Sequence, residues 1–209
     1  MPLASVFDPT DQHNLDRKIA VGIERISQVL KSLLWEQSKT TGLSPIQIQF
    51  LVALVCQPEK QWTVGLLAQR YNLTPATVSD ALTALENKEL LVRTRSEDNK
   101  RTVVLSLSTE GKRLARKLGA WLNTLQQHVS ELDDEAKPLL LASLMHLIAA
   151  FEKDGLISTT HMCAACTYFR PNAHPNTSKP HHCAYIDKPF GDAELRIDCP
   201  DFQEADVPK

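Results

Sequence analysis

Apolar residues recur along residues 16–37 in steps of four, three, four and three: Ile19, Ile23, Ile26, Leu30 and Leu33. That spacing gathers them on one face and predicts a long amphipathic helix after a polar leader at residues 1–15. Thr40-Thr41-Gly42 ends it, glycine being common just past a helix. Ser44 followed by Pro45 predicts the start of a second helix, with Ile46, Phe50, Leu51, Leu54 and Val55 inward. Cys56, set among Val and Leu at the end of this helix, reads as a small buried hydrophobe. Trp62-Thr63-Val64 predicts a short extended piece, and Leu66, Leu67 and Tyr71 a short helix.

Thr74 and Pro75 then supply the cap and first residue of another helix, whose buried stripe is Val78, Leu82 and Leu85. Residues 91–95 and 101–107 are β-branched and alternating, and they flank the polar turn 96–100. This predicts a hairpin with a charged tip. Two long helices follow. One spans 109–132, with Leu114, Leu118, Trp121, Leu125 and Val129 inward. The other spans 134–153, with Leu140, Leu144, Leu147, Ile148 and Phe151 inward; Pro138 falls in its first turns and Asp154-Gly155 stops it. Beyond residue 155 the periodicity ends. This last stretch holds six of the twelve prolines, four of the five cysteines, and Tyr168, Phe169, Tyr185, Phe190 and Phe202. Such aromatic content predicts a small loop-rich module, not a low-complexity tail. The expected organisation is thus a leader at 1–15, a helical domain at 16–155 and a cysteine-rich module at 156–209.

Charge sharpens that division. The 209 residues carry a formal net charge of −2, so no global basic field points to a polyanionic partner. Residues 61–120, however, hold ten Lys/Arg against six Asp/Glu, a net of +4, whereas residues 131–209 hold seven against thirteen, a net of −6. A basic working domain followed by an acidic module is the reading. No stretch approaches the roughly 18 apolar residues of a membrane span, so no membrane partner is expected. The first 18 residues also lack the basic-then-apolar pattern of a secretory signal. A cytoplasmic protein is expected, in which a cysteine cluster binds metal in preference to forming disulfides.

Helix, short turn, helix and then a hairpin is the layout of a winged helix-turn-helix, in which the second helix enters the major groove of DNA. The outer face of that helix would be Ala76, Thr77, Ser79, Asp80 and Thr83, after the Thr74 cap. Short polar side chains permit close approach to base edges, and Ser and Thr pair with several of them. Arg70, Arg93, Arg95, Lys100, Arg101, Lys112 and Arg113 surround this face and are the candidates for neutralising phosphates. No Gly-rich phosphate loop, carboxylate pair in an apolar setting or Ser-His-Asp spacing stands out, so an enzyme is not expected.

The stretch ATVSDALTALENKELLVRTRSEDNKRTVVLSLSTEG, residues 76–111, resembles the MarR family of bacterial transcription regulators. It follows that family's pattern of Thr-Val-Ser, Leu-Glu, Gly-Leu-Val, Arg, Asp-x-Arg-Arg and Leu-Thr-x-x-Gly, and the resemblance extends over residues 16–153. It implies a mainly α fold, a winged helix-turn-helix with long dimerisation helices. It also implies a homodimer on a pseudo-palindromic double-stranded DNA operator, and a small-molecule effector. By the same resemblance Ser79 lies in the recognition helix, Asp98 and Arg101 in the wing, and Gly111 after the second wing strand. Asp80 stands where the family usually has Arg, Glu89 where it has Gly, and Lys100 where it has the first Arg of the wing tip.

The cysteine module falls outside that resemblance. Cys163, Cys166, Cys183 and Cys199 form a C-x2-C-x16-C-x15-C pattern. The close pair can point both sulfurs one way, and four thiolates complete either a Zn2+ site or an iron–sulfur cluster, with [4Fe–4S] the first choice, one per chain. The spacing and aromatics also resemble the high-potential iron–sulfur proteins over some forty residues. Zinc remains open, because His161, His174, His181 and His182 are nearby ligand types, and His182 is an alternative ligand beside Cys183; so does a module without metal, whose exposed thiols oxidise. Two functions follow from the whole chain. One is a DNA-binding regulator modulated by a metal site that senses redox state or metal supply. The other is a redox enzyme or electron carrier on a helical scaffold.

Overall fold

The computed structural model describes residues 14–96, 99–158 and 160–205. By their internal contacts the residues divide into two compact units, 1–62 with 80–125 and 63–79 with 126–209. The first begins with α1, Leu15–Thr41. Asn14 caps it by accepting from the Arg17 N–H at 3.1 Å. It runs past the expected end at residue 37, and the Thr40 and Thr41 hydroxyls donate back to the Gln37 carbonyl, at 3.0 and 2.7 Å. Gly42, at φ 63°, then closes the helix with an N–H to the Ser38 carbonyl. Helix α2, Pro45–Cys56, starts on a full capping box between Ser44 and Gln47.

Helix α2 is the centre of this unit, packing on α1 and on two elements that follow: β2, Val103–Leu107, and α5, Thr109–Leu118. Ile48, Phe50, Leu51 and Leu54 are buried, each worth roughly 1.5–3 kcal/mol of transfer free energy. Ile46 and Val55 are only half-buried, and Cys56 is exposed, contrary to the expectation of a packed thiol. The helical turn of 100° per residue carries Cys56 about 200° round from Leu54, off the packed face. Strand β1, Leu91–Arg95, pairs antiparallel with β2 from Leu91↔Leu107 to Arg95↔Val103. Trp62 extends this pair, its carbonyl accepting the Leu105 N–H at 2.8 Å while its ring is buried. Helix α4, Pro75–Asn87, gives this unit residues 80–87, with Leu82 and Leu85 fully buried.

The single helix expected over 109–132 is broken. After α5 comes a 3-10 turn at Gly119–Leu122, and then α6, Asn123–Ser130. Glycine inside a helix costs about 1 kcal/mol relative to Ala, and Gly119 sits at the break. Of the expected inward set, Leu118 is buried, Leu114, Trp121 and Leu125 are half-buried and Val129 is exposed.

The second unit contains α3, Val64–Tyr71, capped by the Thr63 hydroxyl and ended by Asn72 in a left-handed conformation. It also holds the first turn of α4 and helix α7, Ala136–Lys153. On α7 Met145 is the buried residue, while Leu140, Leu144 and Phe151 are exposed and Leu147 and Ile148 half-buried. Most of the face expected inward therefore stays uncovered in one chain. Gly155, at φ 71°, turns the chain out of α7. The cysteine-rich stretch folds as three short antiparallel strands in the order β3 Phe169–Arg170, β4 His181–Cys183, β5 Lys188–Phe190. Helix α7 packs on the 3-10 turns Cys163–Ala165 and Asp192–Glu194. The expected boundary at residue 155 thus falls inside the second unit. Among the described residues no helix is long and apolar enough to cross a membrane.

Candidate functional site

Helix α4 separates its faces cleanly. Val78, Leu82 and Leu85 are fully buried, while Ala76, Thr77, Asp80 and Thr83 are exposed and Ser79 is half-buried. Thr74 starts the helix by accepting the Thr77 N–H at 3.2 Å, and the two hydroxyls share a 2.9 Å hydrogen bond. The far end closes with Leu90 N–H donating to the Leu85 carbonyl at 3.0 Å and Glu89 at φ 58°, the geometry that usually selects glycine.

The basic residues fall into four groups. Arg93 is committed inside its own unit: its Nη2 donates to Thr83 Oγ1 at 3.0 Å and its Nε lies 3.3 Å from Glu86 Oε2. It therefore fixes β1 against α4. Arg95, Lys100 and Arg101 are exposed along the hairpin. Asn99 shapes the tip, accepting the Arg101 N–H on its side chain at 3.0 Å and the Thr102 N–H on its carbonyl at 2.8 Å. Asp98 lies outside the described residues. Arg70, at the end of α3, pairs with Asp198 at 3.4 Å. Of the remaining two, Lys112 is exposed, and Arg113 grips Glu110 with two donors at 2.8 and 2.6 Å. That hydrogen bond holds the Glu110 carboxyl below its ordinary range.

All four module cysteines line one cavity of about 200 Å³, together with Tyr168, Phe169, Tyr185, Ile186 and Phe190. Three chain segments bring them there. The 3-10 turn at Cys163–Ala165 sets the first pair, with Cys166 N–H on the Cys163 carbonyl at 3.0 Å. Cys183 sits on β4 opposite Phe169. Cys199 is anchored by its N–H to the His161 carbonyl at 2.8 Å. Arg196 binds two of the sulfurs, its backbone N–H reaching Cys163 Sγ at 3.4 Å and its guanidinium Cys199 Sγ at 3.7 Å. Burial is the main cause that pushes the Cys163 thiol above its ordinary range.

The histidines are not among the residues lining that cavity. His161 stacks on Phe202. His181 accepts the Asn172 N–H on Nδ1 at 3.3 Å, so its Nε2 donates to Asp192 at 2.8 Å. His182 has His174 at 3.1 Å from Nδ1 and Asp187 at 3.1 Å from Nε2. Both His182 nitrogens are thereby occupied, and the structure does not bring it to the cysteines. Arg196 and Asp198 were missed by motif reading, whose only clue to them was charge placed close before Cys199.

Comparison with known proteins covers the helical part. The model of the MarR family matches residues 43–103. A curated relative, the HTH-type transcriptional repressor MdtR of Bacillus subtilis (strain 168), is 27% identical over 93 residues; these are 44% of this chain and 59% of that protein's length. The S. aureus MepR–DNA complex is similar in structure with a TM-score of 0.56 at 23% identity, covering 63% of this chain and 96% of MepR. CouR from Rhodococcus jostii RHA1 bound to p-coumaroyl-CoA gives 0.55 at 18%, covering 65% and 94%. A MarR transcriptional regulator from Methanosarcina mazei Go1 gives 0.53 at 19%, covering 65% and 96%. The chain therefore has the winged-helix fold of these regulators, and its segment 43–103 carries the MarR family pattern.

Proposed function

We propose that the chain is a DNA-binding transcriptional regulator acting as a homodimer on a pseudo-palindromic operator, modulated by an iron–sulfur cluster or Zn2+ in its cysteine module. The observation that carries the DNA reading is the outer face of α4. It is short, polar and exposed along Ala76, Thr77, Asp80 and Thr83, behind a buried stripe that fixes the helix, in a segment that matches the MarR model. Side chains of that size allow base edges to approach. Arg95, Lys100 and Arg101 on the hairpin supply phosphate contacts. Among the similar structures MepR is a complex with DNA and CouR is bound to p-coumaroyl-CoA, and a small-molecule effector is part of this reading.

The homodimer reading rests on apolar surface. Helix α1 exposes Ile19, Ile23, Ile26 and Val29, and helix α7 exposes Leu140, Leu144 and Phe151. Such faces are what a homodimer interface buries. The modulation reading rests on three ties around the end of α3. Arg70 pairs with Asp198, one residue before Cys199; Asn72 Nδ2 donates to the Leu156 carbonyl at 3.1 Å; and the Ser158 hydroxyl donates to the Gln69 carbonyl. A change in the order of the cysteine module reaches the helix-turn-helix through them.

The test is fluorescence anisotropy on DNA upstream of the chain's own gene, repeated across a salt series. The affinity should fall steeply and log-linearly with salt, as counterion release requires. Salt-independent or absent binding, with the protein folded and dimeric, sinks the regulator reading.

A further inference from the structure

We propose that Cys163, Cys166, Cys183 and Cys199 hold one [4Fe–4S] cluster and not a single zinc ion. The proposal rests on the metal-site part of the reading above and does not require that the chain bind DNA. A tetrahedral zinc with Zn–S bonds near 2.3 Å draws its four sulfurs to within about 3.8 Å of one another. The four cysteines line a single cavity of about 200 Å³, against the ~10–15 Å³ that admits one water. A cubane fits that arrangement, because it takes one thiolate at each iron corner and spreads them around its body.

The cysteines come from three separately anchored segments. Cys163 is fixed by its N–H to the Arg196 carbonyl at 3.0 Å, Cys199 by its N–H to His161, and Cys183 by strand pairing with Phe169. The walls suit a cluster as well. Tyr168, Phe169, Tyr185 and Phe190 give the cavity an aromatic lining, of the kind that tunes a cluster's surroundings. Arg196 donates to two of the sulfurs, and Lys179 and Lys188 also line the cavity. Hydrogen bonds to sulfur and nearby cations offset the negative charge of a thiolate-ligated cluster. Besides the four sulfurs the lining holds two carboxylates, Glu194, which binds Lys179 and the Gly191 N–H, and Asp201, 3.7 Å from Arg196; the histidines are not in it. On assembly from two ferrous ions, two ferric ions and four sulfides, each thiol gives its proton to solvent and forms one Fe–S bond, which leaves the core at 2+ with no electron gained or lost.

The test is anaerobic reconstitution of the full chain with equal ferrous and ferric iron and sulfide, against a parallel sample offered zinc, followed by metal and acid-labile sulfide analysis. A brown protein with about four each of iron and sulfide per chain is expected. Cys183→Ser and Cys199→Ser should each lose most of the iron. Cys56→Ser and His182→Ala should keep it, and these two guard against variants that merely misfold. A colourless chain that takes one zinc and no sulfide, or loss of iron in His182→Ala with its fold intact by circular dichroism, overturns the proposal. DNA binding read on the same samples separates the two ideas. A four-iron chain that ignores operator DNA sinks only the regulator, and a zinc chain that binds it sinks only the cluster.

Discussion

Glu89 occupies a left-handed position, φ 58°, in the turn that closes α4. A residue with a Cβ costs roughly 1–2 kcal/mol there, and a glycine returns part of that through greater freedom in the unfolded chain. Glu89→Gly is therefore expected to stabilise the protein by about 0.5–1 kcal/mol, read as a Tm rise of ~2–4 °C per kcal/mol in calorimetry. An unchanged or lower Tm shows that the Glu89 side chain compensates for its backbone. Gly111 presents the opposite case. A Cβ there would lie 1.9 Å from the Leu90 carbonyl oxygen, so α5 can approach the end of α4 only without one. Gly111→Ala should cost about 1–3 kcal/mol, as overpacking does, and lower the urea midpoint with an unchanged slope. Both positions were visible in the sequence as one departure from and one match to a family pattern. Their cause was not: the backbone angle at 89 and the contact at 111 exist only after the turn between α4 and β1 has formed.

At the scale of elements, local signals sufficed wherever the chemistry is local. Thr74, Pro75 and the Val78–Leu82–Leu85 stripe mark α4 with a cap, a first residue and a period, all within one helix. The hairpin was legible from two alternating runs around a polar turn. Helix 109–132 was not, because its apolar spacing continues through Gly119 while the backbone tightens to a 3-10 turn there. The basic residues split in the same way. Arg93 bonds Thr83 and Glu86, whereas Arg95, Lys100 and Arg101 stay exposed. Arg95→Ala, Lys100→Ala and Arg101→Ala should each weaken DNA binding uniformly across sequences and reduce the salt slope by about one. Thr77→Ala should instead change which base is preferred, by about 1–3 kcal/mol at one position. Competition anisotropy over a panel of single-base operator variants distinguishes the two patterns. A shifted base preference in the hairpin variants would refute the division.

For the whole molecule, the long helices look incomplete alone. On α1 Ile26 and Val29 are 51% and 57% exposed, and on α7 Phe151 is 47% exposed. Ile26→Glu or Leu144→Glu should leave helicity unchanged, since both side chains are already in solvent, while shifting sedimentation from dimer to monomer and weakening operator binding. A dimer that survives both substitutions rules out these faces as the interface. By itself the sequence determined every helix but the one expected over 109–132, the hairpin, the outer face of α4 and the four cysteines, because caps, periods and C-x2-C spacing act over a few residues. Only the tertiary structure decided that those cysteines ring a cavity while His182 turns to His174 and Asp187. Only it showed that Arg70 is engaged by Asp198 and that Cys56 faces outward. Those outcomes depend on the angle at which a strand, a turn or a helix face meets residues far away in the chain, and spacing along a sequence does not encode that angle.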